Sequence, residues 1–179
     1  MNVFEYLDYE QYIKVIEIIN GGKFDINSID KNGKTLLMHC CGTTLTDEVQ
    51  KIIDLLLAKN VNVNFQDEKY KYNALMLSCE INRFELSEKL LYLTNIHAVN
   101  SFGRYALTLA VYHGRKDLIE LFCMTAQSRQ DIEKLREHLI FPQHSMTSYA
   151  HIFLDKIDFR FKLEDSILSQ KNSIKKPKI

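Results

Sequence analysis

The sequence predicts an all-α repeat solenoid, in which short helix–turn–helix units stack on one another. A turn followed by an apolar residue and small residues occurs three times along the chain. An amphipathic segment follows each turn, with apolar residues spaced as on one wide face of a helix. The equivalent leucines Leu37, Leu75 and Leu107 are 38 and 32 residues apart. Repeats of this length are typical of stacked arrays, in which neighbouring units share one core.

The first element of each unit is a turn that leads into a short helix. The copies span residues 30–41, 73–79 and 100–111. Gly33 and Gly103 lie where a tight turn can require positive φ, which glycine adopts without steric cost. Cysteine behaves as a small hydrophobe in close helix packing. We therefore expect core positions for Cys40, Cys41 and Cys79.

The second element of each unit is an amphipathic helix. Its copies contain residues 15–19, 52–57, 86–91 and 118–122. Asp47 and Gln50 predict a capping box at the start of the second copy. Near the N-terminus, residues 3–7 and 10–20 predict two further helices, and the glycines at 21 and 22 end the second of them.

These units resemble the ankyrin repeat, which consists of a β-turn finger, two helices and a return to the next finger. The second unit matches the family pattern at Asp30, Gly33, Thr35 and Leu37. Leu75 anchors the third unit. The matches in the fourth unit are Gly103, Ala106, Leu107, Ala110, Gly114 and Leu121.

Several positions depart from the family pattern. Leu36 and Ala74 replace the usual proline, and the signature histidine is replaced by Met38, Met76 and Thr108. About four extra residues, 44–47, separate the two helices of the second unit. These departures affect the expected geometry of the fingers and leave the predicted fold unchanged.

The resemblance implies a domain organisation for the whole chain. The predicted array covers residues 1–126, with a truncated capping repeat at 1–29 and repeats at about 30–66, 67–99 and 100–126. Residues 127–170 are expected to form a degenerate repeat and helical cap, and residues 171–179 a flexible basic tail. A binding appendage with its own partner is the alternative interpretation of the C-terminal third.

Three helices are predicted in this C-terminal third. Their ranges are 131–139, 146–154 and 163–168. Residues 157–161 alternate between apolar and polar side chains, as a strand does, and could equally link the last two helices.

Composition argues against several functional classes. Lys plus Arg and Asp plus Glu balance at 23 each, whereas nucleic-acid binding usually depends on a basic excess. Apolar runs are far shorter than the ~20 residues of a membrane span. The N-terminus lacks a basic region leading into an apolar run, so we expect a cytoplasmic protein with reduced thiols rather than Sec export.

No cofactor, metal or catalytic site is expected from the motifs. Gly33-Lys34-Thr35 mimics the end of a phosphate-binding loop, but Ser28 stands where that motif requires glycine. The histidines lack metal-ligand spacing. Cys123 and a C-terminal histidine could in principle form a catalytic pair, but nothing in the sequence favours that pairing.

The resemblance implies a non-enzymatic module that binds another protein through a concave surface of finger tips and first helices. The residues carried over to this surface are Lys31, Asn32, Lys34, Thr43, Lys69, Tyr70, Lys71, Tyr72, Glu80, Ile81, Phe102, Arg104, Tyr112 and His113. Exposed aromatic side chains are frequent hot spots, which favours Tyr70, Tyr72, Phe102 and Tyr112. The competing interpretation packs Tyr72 and Phe102 between neighbouring fingers. The basic and aromatic mixture predicts a partner with an acidic surface patch.

The predicted role is inhibition or sequestration of that partner by a protein that is monomeric alone. A bacterial immunity protein that neutralises a cognate toxin is one form of this role, and a secreted effector acting on a host protein is an alternative. An enzyme with its site in residues 127–179 is the rival from a different class. A scaffold that self-associates through an incompletely capped end is a further possibility.

Overall fold

The computed structural model describes residues 2–126, 129–139 and 145–174. Those residues form ten helices and no strand. The chain packs as two compact units, of which the first ends at Ala106 and the second begins at Leu107. The division falls within the predicted fourth repeat, so the repeat boundaries derived from the sequence remain a prediction.

The N-terminal unit contains three helix pairs. They are α1 (Val3–Asp8) with α2 (Tyr12–Asn20), α3 (Leu36–Gly42) with α4 (Asp47–Ala58), and α5 (Ala74–Glu80) with α6 (Phe84–Leu91). The two helices of each pair contact each other, and equivalent helices of neighbouring pairs also pack together, α3 on α5 and α2 on α4. This is the stacking of helix–turn–helix repeats that the sequence predicts.

The core of this unit consists of the apolar residues that repeat along the sequence. Leu37, Leu75 and Leu56 are completely buried, as are Cys40, Cys41 and Cys79. The expectation that these thiols are core residues is confirmed.

Short polar side chains cap the first helix of the second and third pairs. The Thr35 hydroxyl accepts from the Met38 amide, and the Asn73 side chain accepts from the Met76 amide. The predicted capping box of Asp47 and Gln50 is wrong, because α4 is capped by the Thr46 hydroxyl, which accepts from the Val49 amide. Asp47 is instead the first helical residue, where its charge still favours the helix N-terminus.

The second N-terminal helix is shorter than predicted. It begins at Tyr12 rather than at residue 10. Glu10 has a φ of 57°, which belongs to the left-handed region and cannot continue a right-handed helix.

The C-terminal unit contains α7 (Ala106–Tyr112) from its second residue onward, α8 (Lys116–Met124), α9 (Arg129–Glu137) and α10 (Ser145–Ile174). Helix α10 packs on both α8 and α9. Ile132 and Leu135 of α9 are buried, as are Ala150 and Leu154 of α10.

Helix α10 corrects the prediction of two short helices joined by residues 157–161. It is one continuous helix of 30 residues. Ion pairs one turn apart, Lys162 with Asp158 and Arg160 with Glu164, span the segment that alternates like a strand. Such pairs support helical structure. The helix also includes residues 171–174, which the sequence assigned to a flexible tail, and residues 175–179 lie outside the described part of the chain.

Within the three described ranges, no helix combines the length and the apolar character that crossing a bilayer requires.

Candidate partner-binding surface

Three finger turns of the N-terminal unit are built by the same device. We name them the second finger (residues 30–34), the third finger (67–72) and the fourth finger (100–104). In each, the side chain of one Asp or Asn residue at the base accepts two backbone amides across the turn. Asp30 accepts from Asn32 and Lys34, Asp67 from Tyr70 and Tyr72, and Asn100 from Phe102 and Arg104. The backbone of each finger is therefore rigid.

The third finger is one residue longer than its neighbours. Gly33 and Gly103 have φ of 75° and 71°, and the equivalent position of the third finger is Lys71, with a φ of 57°. The positive φ predicted for both glycines is confirmed. The extra residue of the third finger places Tyr70 at its tip.

The third and fourth fingers are joined by hydrogen bonds. The Ser101 amide donates to the Tyr70 carbonyl over 2.8 Å. The Gln66 side-chain amide donates to the carbonyls of Lys71 and Val99, over 2.6 and 3.0 Å. These bonds fix the two finger tips relative to each other before any partner arrives.

Two exposed aromatic rings stack across these finger tips. The centroids of Tyr70 and Phe102 are 5.9 Å apart with 20° between the ring planes. Lys69 Nζ lies 4.7 Å from the Tyr70 centroid, and the Arg104 guanidinium carbon lies 5.8 Å from that of Phe102. Tyr70 is 41% exposed and Phe102 is 57% exposed.

These side chains border a depression of about 340 Å³. Its lining residues are Lys34, Asp67, Tyr70, Tyr72, Leu77, Glu80 and Phe102. We call this depression, with the adjoining Lys69, Lys71 and Arg104, the finger patch. Eight of the fourteen residues predicted for the binding surface therefore lie in one place.

Tyr72 and Phe102 have different environments within the finger patch. Tyr72 is half-buried, and its pKa is raised by burial first and by the Glu80 carboxylate next. Phe102 projects into solvent. Tyr72 is thus the more buried of the two rings, whereas Phe102 meets the neighbouring finger through its stack on Tyr70, and the choice between the two interpretations stays a prediction.

The charge of the finger patch is positive. Lys34, Lys69, Lys71 and Arg104 supply four cations, whereas Glu80 contributes an anion to its lining. The other carboxylate of the lining, Asp67, is buried and accepts backbone amides.

Other residues predicted for the surface lie outside the finger patch. Lys31 and Asn32 are exposed on the second finger, Thr43 ends α3, and Ile81 is exposed at the end of α5. Tyr112 and His113 belong to the C-terminal unit. Their rings meet edge to face at 5.1 Å, and Tyr112 is exposed.

Asp67 and Leu77 line the depression although neither was predicted. Asp67 carried a signal, because it lies 37 residues after Asp30 and 33 residues before Asn100. Its alignment with these two bases of the neighbouring fingers could have revealed its role. Leu77 is one apolar residue among many on a short helix and carries no comparable signal.

A larger depression of about 620 Å³ lies between the N-terminal helices and the second finger. Its wall includes Phe4, Lys31, and the pair of Asp30 with His39, whose carboxylate and ring nitrogen are 3.0 Å apart. Burial raises the pKa of Asp30, but hydrogen bonds from Lys34, His39 and Asn32 outweigh it and hold this pKa below its usual value. Because these bonds hold Asp30 of the second finger against His39 of α3, we regard the depression as a product of repeat packing.

The thiols do not have the environment of catalytic cysteines. Burial raises the pKa of Cys123 to about 12, so its reactive thiolate is scarce at neutral pH. This argues against the pairing of Cys123 with a C-terminal histidine. The described residues also contain no group of three or more His, Cys, Asp or Glu side chains that could hold a metal ion.

A family model described as ankyrin repeats (3 copies) matches residues 9–96 and 47–135. The protein named DNA replication inhibitor plutonium, from Drosophila melanogaster, is 42% identical over 59 residues. That match covers 32% of this chain and 34% of the fly protein, so the chain spans about a third of the length of this relative.

Proposed function

The chain belongs to the ankyrin-repeat family, a family of protein–protein interaction modules, and from this premise we propose that it inhibits one protein by occupying its surface with the finger patch. The observation that carries the proposal is the exposed stack of Tyr70 on Phe102, flanked by cations. Large aromatic surfaces are costly to leave in water and are common at the centres of interfaces.

The rigidity of the finger patch supports binding. Each finger is closed by its Asp or Asn base, and the third and fourth fingers are bonded to each other. A side chain that is already ordered loses little conformational entropy when a partner covers it. The finger patch therefore satisfies two requirements of a hot spot, exposed aromatic area and preorganisation.

The charges of the finger patch favour a partner with an acidic rim around an apolar side chain. Lys69 lies over the ring of Tyr70 and Arg104 over the ring of Phe102. Both cations would face carboxylates of the partner. The apolar group would enter the 340 Å³ depression beside Tyr70. Opposite charges on two surfaces accelerate encounter, and added salt weakens this effect.

The first experiment is affinity capture from a lysate of the source cells, with Tyr70→Ala/Phe102→Ala as the test variant. We expect one protein to be captured by the wild type and lost with the variant. Two hot spots together contribute about 4 kcal/mol or more, which corresponds to a loss of affinity of about 1,000-fold. Tyr72 is left unchanged because it is half-buried and supports the fold.

Tyr9→Ala/Tyr92→Ala is the matched control. Both of its tyrosines are exposed and neither lines the finger patch. This control should retain the partner, and circular dichroism should show equal folding of all three proteins. Capture that survives in the test variant, or that is lost equally in the control, would refute binding by the finger patch.

Charge reversal tests the acidic character of the captured partner. For Lys69→Glu/Lys71→Glu we expect a slower association rate and a weaker dependence of that rate on NaCl concentration, measured by surface plasmon resonance. An association rate that is unchanged by the reversal would rule out an acidic partner surface.

We also propose that binding inhibits the partner. The fly relative is itself named an inhibitor, which is compatible with a role through binding alone. The purified partner should lose its own activity when the wild type is added at saturating concentration. A captured toxin encoded beside this protein would support the immunity role, and a captured host protein would support the effector role.

A further inference from the structure

Two asparagines of the chain are followed by glycine, a pairing that is chemically unstable. They are Asn20–Gly21 at the end of α2 and Asn32–Gly33 in the second finger. Glycine has no Cβ, so its amide nitrogen is unhindered and its backbone can bend toward the preceding side chain. The same reaction is therefore open to two asparagines that lie in different structural settings.

The reaction converts an asparagine side chain into an acid without an enzyme. The glycine amide nitrogen bonds to the side-chain carbon Cγ, the bond from Cγ to Nδ2 breaks, and ammonia leaves with the amide proton. Water then opens the cyclic imide at one of its two carbonyl carbons. Attack on Cγ gives aspartate, and attack on the main-chain carbon gives isoaspartate, in which the main chain runs through Cβ and Cγ. Both products carry a negative charge.

Hydrogen bonds to Asp30 oppose this reaction in the second finger. The Gly33 amide donates to the Asp30 carbonyl over 3.0 Å, which occupies the attacking nitrogen. Asn32 Nδ2 donates to Asp30 Oδ2 over 3.1 Å, and the Asn32 amide donates to Asp30 Oδ1 over 2.8 Å. The carboxylate also accepts from the Lys34 amide. Because bonds to a charged acceptor are stronger than neutral ones, the finger opens only when several strong bonds break together.

The end of α2 has much less protection. The Gly21 amide donates to the Glu17 carbonyl over 2.9 Å and closes the last turn of the helix. Asn20 is exposed, and its side chain makes no hydrogen bond to the described residues. Helix ends fray at small free-energy cost, since their last bonds break without disturbing the rest of the fold. One broken bond is therefore enough to free the Gly21 nitrogen beside Asn20.

We propose that Asn20 is a site of spontaneous deamidation in the folded chain, whereas Asn32 is protected by the closed second finger. A single neutral hydrogen bond guards the first pair, and several bonds to Asp30 guard the second. This difference corresponds to a conversion rate at Asn20 that is about 30-fold higher than at Asn32. The site is separate from the finger patch and does not depend on the function proposed above.

Conversion of Asn20 places a negative charge where α2 disfavours it. The C-terminal end of a helix carries a partial negative charge, and Glu17 lies one turn before Asn20 on the same side. Isoaspartate also lengthens the main chain and moves Gly21 away from the Glu17 carbonyl. Because α2 packs on both α1 and α4, converted molecules should melt at a lower temperature than the original chain.

Peptide mapping of the aged full chain tests the proposal. The folded wild type is kept at mildly alkaline pH, and mass spectrometry follows the acid formed at each asparagine. Cleavage after Lys23 and Lys31 places Asn20 and Asn32 in separate peptides. We expect conversion at Asn20 to be about 30-fold faster than at Asn32 in the folded chain. In urea, where neither hydrogen-bonded setting persists, the two rates should become similar. Equal rates in the folded chain, no conversion at Asn20, or an unchanged ratio in urea overturns the proposal.

Substitution of Asp30 tests the protection of the second finger. Asp30→Ala removes the carboxylate, so conversion at Asn32 should accelerate about tenfold while conversion at Asn20 stays unchanged. Asp30→Asn keeps an acceptor oxygen, as Asn100 does in the fourth finger, and should retain most of the protection. Lys31→Ala breaks none of these side-chain bonds and is the control, and circular dichroism checks that each variant is folded. If conversion at Asn32 is the same in all of these variants, the bonds to Asp30 do not protect it.

Gly21→Ala tests the nucleophile at the end of α2. Gly21 has a φ of −63°, which alanine also adopts, and an added Cβ would lie 3.3 Å from the Glu17 carbonyl oxygen and hinder the amide nitrogen. We expect conversion at Asn20 to fall about tenfold. Gly42→Ala, at the end of α3, is the matched control, since an added Cβ there meets nothing within 4 Å. Undiminished conversion in Gly21→Ala would show that the Gly21 nitrogen does not attack Asn20.

Discussion

Lys71 adopts a backbone conformation that its side chain disfavours. The second and fourth fingers have glycine at the equivalent position, and all three residues have a φ between 57° and 75°. For a residue with a Cβ, this region costs about 1–2 kcal/mol. The third finger holds Lys71 there because Asp67 accepts the amides of Tyr70 and Tyr72 on either side of it.

Lys71→Gly should therefore stabilise the protein. Glycine removes the strain, but it loses more entropy on folding, which costs about 0.5–1 kcal/mol. The expected net gain is about 0.5–1 kcal/mol in the free energy of unfolding, measured by urea denaturation. Lys71→Ala is the control, because it removes the same side-chain charge and keeps the Cβ. Equal stability of the glycine and alanine variants would show that the strain at Lys71 is negligible.

The fingers also show what single residues reveal in the sequence. Gly33 and Gly103 predict positive φ because glycine is the residue that turns of this kind require. Lys71 gives no such signal, since nothing about lysine predicts a left-handed conformation. The stacking of Tyr70 on Phe102 could not be predicted either. It depends on the extra residue of the third finger, which moves Tyr70 to the tip and leaves Tyr72 half-buried.

At the scale of elements, asparagine side chains link one repeat to the next. The Asn27 side chain accepts from the Asn62 amide over 2.7 Å, and the Asn64 side chain accepts from the Asn95 amide over 2.6 Å. Asn62 and Asn95 also accept from the amide two residues further on, which tightens each loop. These bonds hold the loop that follows the second helix of one pair against the loop that follows the second helix of the next pair.

Loss of one of these hydrogen bonds between repeats should destabilise the protein. We expect Asn64→Ala to lower the free energy of unfolding by about 1 kcal/mol, the usual contribution of one hydrogen bond. Asn64→Asp keeps an acceptor oxygen and should lose less. Asn20→Ala, at the exposed end of α2, controls for the change in composition. If the alanine and aspartate variants at 64 are equally destabilised, the hydrogen bond to Asn95 is not the cause.

Helix α10 shows the limit of prediction at this scale. The second helices of the N-terminal pairs, α2, α4 and α6, bury one face each, so their apolar spacing predicts them well. In α10 apolar residues lie on both the packed face, with Ala150 and Leu154, and the exposed face, with Phe159 and Leu163. The two sets together obscure the helical period. The run from residue 157 to 161 then alternates by coincidence, because Ile157 and Phe161 belong to one side and Phe159 to the other.

At the scale of the whole molecule, burial of thiols ties stability to pH. Cys40, Cys41 and Cys79 are buried in the N-terminal unit and Cys123 in the C-terminal unit. Burial raises the pKa of Cys40, Cys79 and Cys123 to about 12, and it raises that of Cys41 as well. The folded chain therefore keeps four protonated thiols at pH values where the unfolded chain ionises them.

The protein should consequently lose stability at alkaline pH. An unfolded thiol ionises near pH 8.5, so the unfolded state binds fewer protons than the folded state above this pH. The stability is complete below about pH 8 and falls between about pH 9 and pH 12, by about 1.4 kcal/mol per thiol for each pH unit. Urea denaturation at about pH 8, 9 and 10 measures this slope. Cys41→Ala should lower the free energy of unfolding at pH 8, because it leaves a space of about one methyl group in the core. Its free energy of unfolding should nevertheless fall less steeply with pH, by the contribution of one thiol. If the pH dependence of the free energy of unfolding is identical in the variant and the wild type, Cys41 remains accessible to hydroxide in the folded chain. The shared core of the repeats would then open far more readily than its burial indicates.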